Sequence, residues 1–69
     1  MLVEKLDKRF GIVAVESGFI TREQLFEALK VQLAEELKGM KHRLIGEILR
    51  VKKYITEAQI DKVIESMSF

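Results

Sequence analysis

A chain of 69 residues is long enough for one small domain, and 48% of its residues are apolar, which argues for a packed core and against a disordered protein. Twelve basic residues balance eleven acidic ones, so the chain lacks the clear basic excess of a dedicated DNA-binding domain. The absence of cysteine excludes disulfides and thiolate chemistry, and we expect a cytoplasmic domain without membrane insertion, because the N-terminal stretch contains no long apolar run.

The elements predicted along the chain are all helices, because there is no proline and there are only four glycines to interrupt them. We place four short helices at about residues 4–17, 22–38, 43–52 and 57–67. Gly18 lies where the first helix should end, because glycine adopts the left-handed conformation that closes many helices. Gly39 is expected to end the second helix.

The starts of the second and fourth helices carry the same signature. Thr21 is followed three residues later by Gln24, which is the spacing of a capping box. The threonine hydroxyl then accepts from the glutamine N–H, and the glutamine side chain reaches back to the threonine N–H. Thr56 and Gln59 repeat this spacing, so both threonines are predicted N-caps.

The chain contains an internal repeat, in which Gly11 aligns with Gly46 without gaps. Within one single domain, 1–69, we predict repeat one at about residues 9–32, a linker at about 38–42 and repeat two at about 44–67. Such a unit cannot bury its apolar face alone, so we predict two tandem, pseudo-symmetric helical hairpins that share one core. Lys53 occupies the place of Gly18, and it must either adopt the left-handed conformation at some cost or end its helix differently.

The core of the two predicted hairpins should consist of apolar residues at helical spacing in the second and fourth helices. The residues expected to be buried are Leu25, Leu29, Ile60 and Ile64.

The second helix has more apolar surface than one packing seam needs. Phe26, Leu33 and Leu37 lie to one side of its main face, and the second repeat has Asp61 where the first has Phe26. Two interpretations are open. The apolar residues of segment 2–6 cover this side, or it binds a partner helix or a second copy of the chain.

Few residues could carry chemistry. His42 is the single histidine, and no second ligand type lies at a metal-binding spacing from it. The carboxylates alternate with lysine and arginine, as on a solvated helix face, and no serine has a nearby histidine in the sequence. We therefore predict that the protein is not an enzyme and holds no metal.

The first repeat resembles a known sequence pattern. The N-terminal domains of bacterial type II secretion and type IV pilus assembly ATPases carry R-L-G-x-x-L-V-x-x-G-x-I, followed by a helix with L-x-x-A-L-x-x-Q, as a tandem pair. The residues that carry the resemblance here are Arg9, Phe10, Gly11, Val15, Gly18, Ile20, Leu25, Ala28, Leu29 and Gln32. The resemblance extends from about Arg9 to Ile64, and the second copy matches less well than the first.

The resemblance implies an all-α regulatory domain without ATPase activity, because the chain lacks a G-x-x-x-x-G-K-[ST] loop. In some members this domain binds cyclic di-GMP, with one half-site per motif, and in others it docks onto a membrane-platform partner of the secretion machine. We favour docking to a protein partner, with Phe26, Leu33 and Leu37 as the partner surface and a homodimer as a possible state. A cyclic di-GMP-binding module is the alternative, and a helix-turn-helix nucleic-acid binder is less favoured.

The resemblance also assigns ligand-binding residues to both motifs. These residues are Arg9, Gly11, Val15, Gly18, Arg43 and Gly46. Arg9 would contact guanine or phosphate through its guanidinium group, and Gly11 would allow a close backbone approach. In the second motif Leu44 occupies the arginine place, and Arg43 lies one position away.

Overall fold

The computed structural model describes the backbone of residues 2–67 and the side chains of residues 6–67. This part of the chain folds into four helices without a strand, so the all-α prediction is confirmed. The helices are α1 (Leu2–Glu16), α2 (Arg22–Leu37), α3 (Ile45–Val51) and α4 (Glu57–Ser66). No helix among them has the length and apolar character needed to cross a membrane.

Both predicted capping boxes are present. The Gln24 N–H donates to Thr21 Oγ1 at 3.1 Å, and the Thr21 N–H donates to Gln24 Oε1 at 2.9 Å. Thr56 and Gln59 form the same pair of bonds at 3.1 and 3.0 Å. Each pair satisfies backbone donors that a helix start would otherwise leave without a partner, so α2 and α4 begin at positions fixed by local sequence.

The ends of α1 and α3 have the same geometry in spite of different residues. The Phe19 N–H donates to the Ala14 carbonyl at 3.1 Å, and the Tyr54 N–H donates to the Leu49 carbonyl at 3.0 Å. These are the long bonds of a Schellman motif, which requires a left-handed residue just before the donor. Gly18 fills that place in α1 with φ 79°, whereas Lys53 fills it in α3 with φ 65°. Of its two predicted alternatives, Lys53 therefore adopts the left-handed conformation, which is the strained one. Gly39 closes α2 in the same way, with φ 75°.

Helix α3 begins without a cap of its own, because its N-cap residue is Leu44. The carboxylate of Asp7 in α1 takes that role, since its Oδ1 accepts from the Ile45 N–H at 2.8 Å. Its Oδ2 accepts from the Gln32 side-chain amide of α2 at 2.7 Å, and the same amide donates to the Arg43 carbonyl at 2.8 Å. Asp7 is only 8% exposed, and it joins three helices through one carboxylate.

The core is built from positions that the repeat shares. The ten buried apolar residues of the described chain fall into five pairs, each 35 positions apart. The pairs are Phe10 and Ile45, Val13 and Ile48, Ala14 and Leu49, Ile20 and Ile55, and Ala28 and Val63. Both copies therefore contribute to one shared core through equivalent residues.

The predicted core of Leu25, Leu29, Ile60 and Ile64 is wrong in part. Ile64 is 57% exposed, and the other three are only partly buried beside the core. The reason is the rotation of α2 and α4 about their axes. Ala28 and Val63 are both 0% exposed and point to the centre of the core. The four predicted residues lie three positions before them or one position after them, and therefore at the edge of the core.

Helix packing crosses between the repeats. The most extensive packing joins α2 to α3, followed by α1 to α3 and α1 to α4. Within a repeat, α1 and α2 contact each other narrowly, and α3 and α4 hardly at all. The arrangement as two pseudo-symmetric hairpins stays a prediction, whereas the one shared core is present.

Loss of the Asp7 carboxylate should destabilise the fold. In Asp7→Ala the Ile45 N–H and the Gln32 amide lose a buried acceptor, and we expect a loss of about 1–3 kcal/mol in the free energy of unfolding. Asp61→Ala, at an exposed position, is the control and should change it by less than about 0.5 kcal/mol. Urea unfolding followed by circular dichroism measures both; equal midpoints for the two variants would contradict the capping role of Asp7.

Exchanging the residues at the left-handed positions should change stability in opposite directions. Lys53→Gly removes the cost of a side chain at positive φ, and we expect about 1 kcal/mol of added stability. Gly18→Lys introduces that cost in α1 and should remove a similar amount. Thermal and urea unfolding of the two variants test this; a stabilised Gly18→Lys protein would refute it.

Candidate functional site

An apolar groove lies where α1, α3 and α4 meet. Its volume is about 430 Å³, which is within the range of binding sites for small ligands or a few side chains of a partner. The described residues that line it are Leu6, Asp7, Phe10, Leu44, Gly46, Glu47, Arg50, Ile60, Ile64 and Met67. The exposed fraction of Ile64 thus belongs to a wall of this groove.

The groove exists because the second helix of each repeat packs differently against the first. In the first repeat Leu25 lies so close over Gly11 that a Cβ on this glycine would be 2.5 Å from Leu25 Cδ1. In the second repeat α4 stands away from α3, and Ile60, the equivalent of Leu25, lines an open space. Gly46 instead admits the ring of Phe10, which a Cβ there would meet at 3.2 Å.

The charged groups along the groove are few and already engaged in part. Both carboxylate oxygens of Asp7 accept hydrogen bonds from groups within the fold. Glu47 and Arg50 are exposed on α3, and Arg50 Nη1 lies 3.7 Å from Glu57 Oε1. The lining is otherwise apolar, which favours apolar side chains as occupants over a phosphate or a sugar.

A second apolar surface runs along α2. Phe26, Leu33 and Leu37 form what we call the α2 stripe, and they are 58, 57 and 79% exposed. They lie on the side of the helix opposite the buried Ala28. Nothing in the described part of the chain covers them. Of the apolar residues in segment 2–6 that were predicted to do so, Leu6 lines the groove, and the side chains of Leu2 and Val3 lie outside the described part. Helix α2 is therefore apolar on two opposite faces.

The first predicted ligand motif is spread over unlike environments. Arg9 and Gly18 are exposed, Val15 is partly buried against the core, and Gly11 is buried under Leu25. The close approach predicted for Gly11 is thus made by a side chain of the neighbouring helix.

The second predicted ligand motif is engaged within the protein. Arg43 donates to Glu35 through Nε at 3.0 Å and through Nη2 at 2.5 Å, which holds its guanidinium group against α2. This pair lowers the pKa of Glu35 and raises that of Arg43. Gly46 lies in the groove and faces Phe10.

A cluster of Glu27, Lys52 and Tyr54 joins α2 to the end of α3. Glu27 Oε2 lies 2.9 Å from Lys52 Nζ and accepts from the Tyr54 hydroxyl at 2.9 Å. The bond from Lys52, and then that from Tyr54, lowers the pKa of Glu27, and the pKa values of Lys52 and Tyr54 are raised in return. The sequence did not indicate this cluster, because Glu27 lies 27 positions before Tyr54.

Metal chemistry finds no support in the side chains that the structure describes. They contain no group of three histidine, cysteine, aspartate or glutamate residues that could hold a metal ion. His42 Nδ1 lies 2.7 Å from Glu36 Oε1 near the end of α2, where both side chains face solvent.

Comparison of the chain with protein-family models, with curated proteins and with solved structures finds no match.

The pKa shifts predict a loss of stability in acid. Glu27 and Glu35 have lowered pKa values in the folded protein, so their pairs stabilise it above the ordinary glutamate value of about 4.3 and are lost as the pH falls below it. Glu27→Gln should therefore flatten the decrease in unfolding free energy between about pH 5 and pH 3. Urea unfolding across this range provides the measurement. A variant whose stability falls as steeply as that of the wild type would show that the Glu27 pair is not responsible.

Proposed function

We propose that this protein is a non-enzymatic, cytosolic docking domain whose groove receives apolar side chains of a protein partner. The observation that carries the proposal is the groove itself, an apolar space of about 430 Å³ left open between α3 and α4. The resemblance supports a domain of the type found at the N-terminus of type II secretion and pilus assembly ATPases, with a membrane-platform protein as partner.

The apolar lining of the groove suits one face of an amphipathic helix. Such a helix presents apolar residues at i, i+3 or i+4, and i+7, and these residues bind in an apolar groove of the partner protein. Ile60 and Ile64 line the groove from α4, one turn apart, and Phe10 lines it from α1. Glu47 and Arg50, of opposite charge, lie at the same groove and would meet polar residues beside the partner's apolar face.

The cost of leaving Ile64 exposed supports an occupant. Covering such a side chain fully contributes about 1.5–3 kcal/mol, and its equivalent in the first repeat, Leu29, is packed against the core. The position that is packed against the core in the first repeat, at Leu29, is therefore exposed in the second repeat, at Ile64.

Cyclic di-GMP binding is the second candidate, and exposed Arg9 is the observation in its favour. The equivalent place in the second repeat is Leu44, and Arg43 beside it is bound to Glu35. At most one half-site is then available, so the binding proposed for this second candidate is weak and lies around Arg9 and Gly18.

The docking proposal is tested with a charge placed in the groove. Ile64→Lys should weaken binding of the soluble domain of the membrane-platform protein at least about tenfold, since about 1.4 kcal/mol corresponds to one factor of ten. Val51→Lys is the matched control, because Val51 is 61% exposed, does not line the groove and also lies near a helix end, where a cation is tolerated. Calorimetry measures the affinities, and circular dichroism verifies that both variants fold.

Two outcomes would remove the docking proposal. One is equal binding by Ile64→Lys and Val51→Lys, and the other is no binding by the wild type. Cyclic di-GMP is added to the ¹⁵N-labelled domain in a parallel titration. Amide shifts confined to residues 9–18, and lost in Arg9→Ala, would transfer the function to the second candidate.

A further inference from the structure

The α2 stripe is not part of the groove, and its spacing is that of a coiled-coil seam. Phe26, Lys30, Leu33 and Leu37 follow one another at steps of four, three and four residues. Met40, three residues beyond Leu37 and 54% exposed, continues the series just after the helix. All five are exposed, and alternating steps of three and four place the four that belong to α2 along one line of the helix.

The shared fold does not require this seam. The second repeat folds with Asp61 at the place of Phe26, and Ala28 and Val63 fill the core equally in the two repeats. A helix that is apolar on both faces normally has a neighbour on each of them. The described chain supplies a neighbour for one face only.

We propose that a second copy of this chain covers the α2 stripe, with the two α2 helices packed antiparallel. In this arrangement Phe26 of each copy faces Leu37 of the other, and Lys30 faces Leu33. These layers are symmetric about a two-fold axis between residues 31 and 32, so one surface pairs with itself and the assembly closes as a dimer. An unrelated helix would need a matching seam, whereas the second copy already has one.

Lys30 inside the seam and the charges Glu23, Lys38 and Lys41 near its ends favour the antiparallel orientation. Glu23 lies in the first turn, and Lys38 and Lys41 follow the last turn. Antiparallel packing places Glu23 of one copy near the lysines of the other at both ends of the seam. Parallel packing would instead bring two Lys30 side chains together inside the seam and place like charges together at its ends.

The proposed dimer leaves the groove accessible. The groove is lined from α1, α3 and α4, while the seam lies on the outer side of α2. A seam of this length buries less area than a standard interface, so we expect a reversible dimer with a dissociation constant on the order of 100 µM. Both grooves of a dimer remain available to partners, and docking and dimerisation are separate properties.

Sedimentation equilibrium of the whole chain from about 10 µM to about 1 mM tests the association. Phe26→Asp copies the residue of the second repeat and should weaken dimerisation at least about tenfold. Ile12→Asp, also on the interior of a helix and 45% exposed, lies outside both seam and groove and should leave dimerisation unchanged. A wild type that is monomeric at 1 mM, or a Phe26→Asp variant that dimerises like Ile12→Asp, would overturn the proposal.

Spin labels test the orientation in the chain, which has no cysteine of its own. Arg22→Cys and Ala34→Cys are exposed sites for single labels. At 1.5 Å per residue, antiparallel packing separates the two copies of site 22 by about 28 Å along the axis, and those of site 34 by about 8 Å. Two short distances would show parallel packing and refute the proposed seam.

Discussion

The carboxylate of Asp7 is the constraint on which the rest of this fold depends. Helix α3 has seven residues, too few to be stable alone, and its N-cap leucine offers no side-chain acceptor. Asp7 supplies the acceptor from α1 and also holds Gln32 of α2. Since α3 contributes three core residues that are at most 1% exposed, the hydrophobic core forms around a helix whose start another helix provides.

The repeat separates residues that build the fold from residues available for interactions. Equivalent positions fill the core in both copies, as Ala28 and Val63 illustrate. The copies differ at the periphery, where Phe26 is matched by Asp61 and the partly buried Leu29 by the exposed Ile64. The α2 stripe lies in the first copy, whereas the groove is lined by α1 together with α3 and α4 of the second copy. The two surfaces share no residue, so a mutation can alter one of them and leave the other intact.

Features encoded by neighbouring residues could be predicted from sequence. The capping boxes of Thr21 and Thr56, and the special place of Lys53, rest on spacings of a few residues. Features that depend on distant contacts could not be predicted. The bond from Ile45 to Asp7 spans 38 positions, and the exposure of Ile64 depends on how α4 is rotated and how far it stands from α3. One signal for Asp7 was present, since a helix beginning at a leucine needs a polar partner from elsewhere.

The packing of helices across the repeats has a consequence for how the chain reaches its structure. Because α2 packs on α3 and α1 on α4, neither repeat contains a core of its own. A hairpin formed by one repeat alone therefore has little stability during folding. The stabilising contacts join residues that are distant in sequence, so the relative contact order is higher than in an up-and-down bundle of equal length. Folding therefore depends on the formation of these long-range contacts. The same topology makes the segment between α2 and α3 a place where two chains could exchange halves at high concentration.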